Sequence, residues 1–466
     1  MKKIIFTIIL SICTIISFGQ TIFKCDSDAI KIIVNNESNG WNLSPEINPD
    51  IFYVECTKKI NKVEIKDNNK VQVFYVSLGQ KIDFIILNSK NEKCYTRLEG
   101  VKPNVNFTKE YIKKNKGKVI VAIPEVSELV NILMVLHKDA EKEENMFDTK
   151  TEYYKEVKNY FKPFLNHPAL DTINKYITDL KKQDNNEMFF SNKSYGYYYA
   201  LKMNACAYNF DKKNTIVNSG VINAFANGYN SFDPMKDIKI FEDFAEKSNF
   251  RNFYKLHKPN YDSLIKTYNQ LNPILKMQNL LDKKFGFGYG SYVVYFSPFI
   301  SGAHSTQRFE SNGFNQSFMF IAPAEMDKRY SAIMNELIES RVVFTEIDHN
   351  YVNPVSDKFL NEINQVISNR EKWAKGDATS MYNSPYMVFN EYMTFAVYSL
   401  YVNDNFSNKD LLEYLPKMEN QMENSRGYIN FKKFNRTLLE KYKADKNIKM
   451  TDLYNFILKW AEEENK

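Results

Sequence analysis

The sequence predicts an α+β protein in which a β-rich N-terminal part precedes a helical region and a second, mixed part. Three observations lead to this prediction. Short β-branched runs such as KIIVNN, IFYVEC and VQVFYVSL occupy the first part, and polar turn residues separate them. Apolar residues then recur at helical spacing from residue 125. Finally, FGFGYGSYVVYFSPF and QSFMFIAP are strand-like and directly precede a helix that contains TEIDH.

The first residues have the pattern of a cleaved signal peptide. A short basic start, Met1-Lys2-Lys3, leads into the 15-residue apolar run IIFTIILSICTIISF. A bilayer-spanning helix needs about 20 apolar residues, so the run is too short for a stable anchor. We therefore expect a signal peptide at residues 1–19, cleavage between Gly19 and Gln20, and an exported protein in the periplasm or outside the cell. An uncleaved anchor is the alternative.

The remaining chain divides into three predicted parts. Residues 20–124 form a β-rich module, either a small sandwich or barrel-like domain or a peripheral sheet of the main domain. Residues 125–284 form a helical region, because runs such as VSELVNILMVL place apolar residues three and four apart. Residues 285–466 contain two strands, the TEIDH helix and further helices. The glycines of FGFGYG precede a strand and lack G-x-G-x-x-G spacing, which excludes a nucleotide loop.

Composition narrows the class of partner. The chain has 466 residues, 44% of them hydrophobic, and its 62 basic and 56 acidic residues give a net charge of +6. The charges are spread along the whole chain and no arginine-rich run occurs, so nucleic acid is not an expected partner.

The cysteines suggest one disulfide. The mature chain keeps Cys25, Cys56, Cys94 and Cys206, and none of them has C-x-x-C spacing. Export makes one disulfide plausible among the first three, although the sequence does not say which pair forms. Cys206 lies in an apolar helical setting and is expected to be a buried free thiol.

The sequence TEIDH differs from the zinc signature H-E-x-x-H only at Thr345. Thr345 and His349 are four residues apart, so they share one helix face, where two metal-binding histidines would lie. Glu346 occupies the position of the general base. Asn353 precedes Pro354, which predicts a helix end about one turn after His349. An ordinary half-buried histidine on a helix is the alternative interpretation.

A second helix strengthens the metal hypothesis. SPYMVFNEYMTFAVYSLY is apolar except for a few positions, and Glu391 lies in its middle. A buried carboxylate needs a cation or another partner. A zinc ion shared with His349 would be one such partner, and an arginine or lysine would be another. If zinc is the partner, the side chains of Glu391 and His349 face the same cleft.

These motifs resemble a family of exported bacterial proteins, domain of unknown function 4932, over residues 121–400. The resemblance includes VAIPEVSELVNILMVL, YFKPFLNHPAL, TEIDHNYVNP and NEYMTFAV. It implies a zincin fold of the gluzincin type, with antiparallel strands, an active-site helix and C-terminal helices. It also implies zinc as cofactor, with His349 and Glu391 as metal ligands and Glu346 as the catalytic base.

Thr345 stands where that family has its first zinc-binding histidine. Zinc sites with four ligands are worth about 10–16 kcal/mol, so one missing ligand would weaken binding at least about a hundredfold. His304, in FISGAHSTQRF, follows a predicted strand and is the candidate for a substitute ligand. The resemblance therefore implies a secreted zinc-metallopeptidase-like hydrolase with impaired or lost catalysis. The alternative is a non-catalytic exported protein that uses the cleft to bind peptide or envelope ligands.

Overall fold

The structure is a computed structural model, and it describes residues 21–465 except 36, 68–69, 138–139, 145, 184–191, 226–233, 303, 381 and 383. The predicted signal peptide at residues 1–19 lies outside the described residues. Among the described helices, none combines the length and the apolar character needed to cross a membrane.

The N-terminal part is a β-sandwich. Its strands are β1 (Ile22–Lys24), β2 (Ala29–Val34), β3 (Glu37–Asn42), β4 (Asp50–Glu55), β5 (Asn61–Asp67), β6 (Lys70–Val76), β7 (Lys81–Leu87) and β8 (Lys93–Val101). They form two four-stranded sheets, with strand orders β1-β7-β8-β4 and β3-β2-β5-β6. Apolar side chains of both sheets, such as Ile32, Val63, Ile86 and Leu98, share one core. The sandwich predicted from the alternating strand pattern is therefore present.

A helical region follows, interrupted by short strands. Its elements are α1 (Lys109–Asn115), β9 (Val119–Ala122), α2 (Glu125–Val135), α3 (Glu152–Phe161), α4 (Pro168–Gln183), α5 (Asn192–Ala205), β10 (Tyr208–Phe210), β11 (Ile216–Asn218), α6 (Pro234–Lys247), α7 (Phe250–Leu271) and α8 (Ile274–Phe285). Helix α2 lies in the core of this region, because its residues from Val126 to Val135 are all buried.

The central sheet is mixed and not antiparallel as predicted. It contains β9, β12 (Ser291–Phe296), β13 (Ser305–Ser311) and β14 (Phe314–Ile321), in the order β13-β14-β12-β9. Strand β12 pairs parallel with both β14 and β9, and only β13 runs antiparallel, against β14. The physical reason is the connection: β13 forms a tight hairpin with β14 at the sheet edge, so β14 returns parallel to β12. Strand β9, at the end of the predicted N-terminal module, belongs to this central sheet.

Helices complete the C-terminal part. They are α9 (Ala332–Ser356), α10 (Leu360–Val366), α11 (Pro385–Asn405), α12 (Asn408–Asn420), α13 (Phe431–Ala444) and α14 (Met450–Glu464), with a π-helical turn at Gln421–Ser425. Helix α9 lies between the central sheet and α11. Mixed α+β architecture is thus confirmed.

The N-terminal sandwich contacts the C-terminal part through β3. A Cβ atom at Gly40 would lie 2.7 Å from Oδ1 of Asp357, so any larger residue there would have to displace the Asp357 side chain. The hydroxyl of Tyr386 donates a hydrogen bond to the same oxygen at 2.8 Å. Asp357 is the residue that follows α9, so this contact lies at the C-terminal end of that helix.

Candidate functional site

Helix α9 is fixed to the sheet by a buried asparagine. The Nδ2 of Asn350 donates to Thr306 Oγ1 at 2.9 Å and to Ser317 Oγ at 3.0 Å, on β13 and β14. The helix begins at a Ser331 cap whose hydroxyl accepts from the backbone N–H of Met334 at 3.1 Å. These contacts set the rotation of α9 and hence the direction in which the TEIDH residues point.

The helix continues through Pro354 to Ser356, so the predicted end at Asn353 was wrong. Proline has no N–H to donate to the carbonyl of Asn350, one turn earlier. The structure compensates, because the hydroxyl of Tyr289 donates to that carbonyl at 3.0 Å. The side chain of Arg308 adds a longer contact at 3.5 Å. Tertiary contacts thus replace the missing helical hydrogen bond.

His349 and Glu391 lie together, as the metal hypothesis expected. The Nε2 of His349 is 3.3 Å from Oε1 of Glu391 on α11, and the two side chains are 21% and 5% exposed. The other ring nitrogen of His349 is 3.5 Å from Oδ1 of Asn353. The two residues therefore form one polar pair at the contact between α9 and α11, with Glu391 buried and His349 partly exposed.

Arg426 also contacts Glu391, so the three residues form one cluster. Its Nη2 donates to Oε2 of Glu391 at 2.8 Å. The π-helical turn after α12 positions it, since the backbone N–H of Arg426 bonds to the carbonyl of Gln421, five residues earlier. The guanidinium carbon is 4.8 Å from the ring centre of Phe395, one turn beyond Glu391 on α11. We call His349, Glu391 and Arg426 the His–Glu–Arg cluster.

Electrostatics show that the cluster is charged. Burial alone would raise the pKa of Glu391, but the charges of Arg426 and His349 hold it below its usual value. Burial alone would lower the pKa of His349, but the hydrogen bond and charge of Glu391 raise it above normal. Glu391 is therefore a carboxylate at neutral pH, held between the guanidinium of Arg426 and the imidazole of His349.

Glu346 is half-buried and differs from Glu391 in its protonation. Burial raises the pKa of Glu346 to about 7, and the charge of Glu391 acts in the same direction, while the charges of His349, Lys202 and Arg426 oppose it. A carboxyl with such a pKa can accept or donate a proton near neutral pH. The site thus holds one ionised carboxylate and one that titrates.

The residues present do not fit a zinc ion. Two ligand atoms about 2 Å from a tetrahedral zinc are about 3.3 Å apart, so His349 and Glu391 alone have suitable spacing. Thr345 offers no third anionic or imidazole ligand, and its hydroxyl donates to the carbonyl of Val342 at 3.0 Å. Within the described part of the chain, no group of three His, Cys, Asp or Glu residues is arranged to hold a metal. Arg426 already supplies the positive charge that Glu391 requires.

His304 does not replace the missing ligand. Its Nδ1 accepts the backbone N–H of Ala322 at 3.3 Å, which directs the ring toward the end of β14. Burial lowers the pKa of His304 to about 3, and the charges of Lys202, Arg341 and Arg426 add to the effect. The histidine is therefore neutral, and it forms no metal-binding group with His349 and Glu391 among the described residues.

Two further titratable residues near the site were missed by sequence reasoning. Burial lowers the pKa of Lys202 to about 7, and Glu346 is one of the charges that oppose the shift. This lysine belongs to the run SYGYYYALKM, where a single charge among aromatic residues was an available signal. Asp348, on α9, is buried and neither of its oxygens has a hydrogen-bond partner. Burial raises its pKa well above the usual value, and the charges of Glu391 and Glu346 act in the same direction.

The cysteines do not form the expected disulfide. Cys25, Cys56, Cys94 and Cys206 are all free thiols. Cys25 directly follows β1 and Cys94 is on β8, and these two strands flank β7 on opposite sides, so the two backbones are about two strand spacings apart, about 10 Å. Disulfides require Cα atoms closer than about 7 Å. Cys206 is buried, as predicted.

Fold and site together define a mixed α+β protein with a buried His–Glu–Arg cluster between two helices. Comparisons with protein-family models, with curated proteins and with solved structures found no match for the chain. Function is therefore inferred from the geometry of the site.

Proposed function

We propose that this protein is an exported zinc-peptidase-like protein that has lost metal-dependent hydrolysis and uses its cleft to bind peptide or envelope ligands. The observation that carries the proposal is the hydrogen-bonded ion pair of Glu391 with Arg426 at 2.8 Å. Thr345 occupies the position of the first zinc ligand. In this proposal, Arg426 neutralises Glu391 in place of a metal ion. The gluzincin fold remains part of the proposal and is supported by the order of β12, β13, β14, α9 and α11.

The cluster can still serve binding. His349 and Arg426 are 21% and 27% exposed, so each side chain reaches the surface of the site. Glu346 beside them titrates near neutral pH. An extended peptide would meet both hydrogen-bond donors and an acceptor there, which is the pattern that binds backbone amides.

Zinc affinities of designed variants test this proposal. Thr345→His supplies the missing ligand without a backbone change, so it should raise zinc affinity about a hundredfold. Thr345→His combined with Arg426→Met should raise it further, because the cation that competes for Glu391 is removed. Isothermal titration calorimetry with zinc measures both, and His349→Ala in each background is the control. Equal affinity in the parent and in Thr345→His would contradict the degenerate-site proposal.

Hydrolysis provides the second measurement on the same proteins. The parent should not cleave an unstructured protein substrate such as casein, with or without added zinc. Zinc-dependent cleavage by the parent that is lost in Glu346→Gln would overturn the proposal, because it would require an intact metal site.

Export is also proposed, on the basic start and the 15-residue apolar run of the first residues. The exported protein should begin near Gln20. Intact-mass measurement of the protein recovered from outside the cytoplasm checks this expectation, and a mass that retains residues 1–19 would contradict it.

A further inference from the structure

A cavity of about 160 Å³ lies beside α9, one helical turn from the site. Glu339, Val342 and Val343 line it from α9, and Pro323 and His304 line it from the sheet side. Glu339, Val343 and Glu346 follow each other at steps of four and three residues, so they share one stripe of the helix. The cavity therefore continues along the same face of α9 that carries Glu346.

Glu339 is the acidic residue that lines this cavity. It is half-buried and, among the described residues, no lysine, arginine or histidine forms an ion pair with it. Burial raises the pKa of Glu339 to about 7, with the charge of Glu325 acting in the same direction; a hydrogen bond from the Glu325 backbone and the charge of Arg341 oppose it. A cation entering the cavity would offset this cost of burial and favour the carboxylate.

The other titratable groups near the cavity do not supply that cation. His304 is neutral, because burial lowers its pKa to about 3. Arg341 is two residues from Glu339, about 200° around the helix, and its guanidinium lies 5.3 Å from the ring centre of Phe395 on α11. Glu325 is exposed and adds a second negative charge near the cavity. Glu339 is thus the acidic residue in the cavity lining, and no lysine or arginine lines the cavity, although the charges of Lys202, Arg341 and Arg426 act on His304 in its wall.

We propose that this cavity binds the side chain of a lysine in a peptide that occupies the cleft. The inference rests on the proposed function and names the class of ligand for that site. The ammonium group would pair with Glu339, and the methylene groups would contact Val342, Val343 and Pro323. The volume of the cavity is sufficient for a lysine side chain, since an engineered cavity of about 150 Å³ accommodates benzene, a molecule of similar size.

Peptide affinities measured by fluorescence anisotropy test the inference. The probes are fluorescein-labelled alanine-based peptides with one central Lys, Leu, Arg or Glu. The parent should bind the Lys peptide about tenfold more tightly than the Leu peptide, the gain expected of a charge-assisted hydrogen bond. The preference should weaken as pH falls below about 7, because Glu339 becomes protonated.

Variants of α9 provide the matched comparison. Glu339→Gln should abolish the preference for the Lys peptide, and Glu339→Lys should favour the Glu peptide. Glu336→Gln is the control, because Glu336 is half-buried on the same helix but does not line the cavity. Each preference is a ratio of two affinities measured on one protein sample, so partial unfolding of a variant cancels.

Four outcomes would overturn the inference. Equal binding of Lys and Leu peptides by the parent, or an unchanged preference in Glu339→Gln, removes the role of Glu339 but leaves a peptide-binding cleft. Tighter binding of the Arg peptide than the Lys peptide contradicts the assignment of lysine by size. Absence of binding to every peptide contradicts the inference and the proposed peptide-binding function together.

Discussion

At the scale of single residues, the structure of the site depends on which cation neutralises the buried carboxylate of Glu391. Glu391 is 5% exposed and contacts Arg426 and His349 through separate oxygens. A buried carboxylate without a partner costs several kcal/mol, so Glu391 requires a cation beside it. Arg426 fulfils this role, and the site can therefore exist stably without zinc.

Arg426→Met should lower the free energy of unfolding by about 3–5 kcal/mol, because it leaves Glu391 buried without its strongest partner. Chemical denaturation measures the change. The same substitution in a Glu391→Gln background should cost much less, since no buried charge remains to be compensated. Equal costs in both backgrounds would show that the ion pair does not stabilise the fold.

The sequence predicted part of the cluster and missed the rest for a physical reason. Helical spacing placed Thr345 and His349 on one face, and the carboxylate within an apolar helix identified Glu391. The partner of Glu391 was left open between zinc and a basic residue. Arg426 lies 35 residues further along the chain, beyond a π-helical turn, and no periodicity connects positions so far apart.

At the scale of elements, α9 shows how tertiary contacts override local signals. The residue before a proline disfavours helix, yet α9 passes through Pro354 because Tyr289 satisfies the carbonyl of Asn350. The sequence also did not predict that β12 and β14 are parallel, because strand direction depends on the connection between strands and not on the strand sequences.

Tyr289→Phe should destabilise the protein by about 1–2 kcal/mol, because the carbonyl of Asn350 loses its hydroxyl partner. The destabilisation caused by Tyr289→Phe should be smaller in a Pro354→Ala background, since alanine restores a backbone N–H that can donate to that carbonyl. Thermal unfolding of the four proteins in this cycle measures the coupling. Strictly additive effects would show that the hydroxyl does not compensate for the proline.

At the scale of the whole molecule, buried acids make stability depend on pH. Glu128 is fully buried, and burial raises its pKa from 4.5 to about 7, although a hydrogen bond from the hydroxyl of Tyr153 at 2.6 Å opposes the shift. A raised carboxyl pKa means that the folded state holds the proton more tightly than the unfolded state. Its stabilising contribution is therefore complete below about pH 4.5 and is lost as pH rises through about 7.

Glu128→Gln should flatten this dependence. The parent should lose about 3 kcal/mol through Glu128 between pH 4.5 and 8, whereas the variant keeps a neutral side chain that still accepts from Tyr153. Denaturation at a series of pH values measures the slope, and the exposed Glu144→Gln is the control. A slope unchanged by Glu128→Gln would contradict the assignment.

The overall organisation was predictable only in outline. Alternating and helical patterns predicted the sandwich and the helical region, because each depends on neighbouring residues. The pairing of β9 with β12 joins segments from opposite ends of the helical region, and the contact of Gly40 with Asp357 joins the two ends of the protein. Such contacts depend on the completed core and leave no local pattern in the sequence.

The metal content of the protein tests the central claim most directly. Purified mature protein, equilibrated with equimolar zinc and then passed through a desalting column, can be analysed by inductively coupled plasma mass spectrometry. The His–Glu–Arg cluster predicts well under one zinc per molecule, with the same content in His349→Ala. One zinc per molecule in the parent that disappears in His349→Ala would contradict the account.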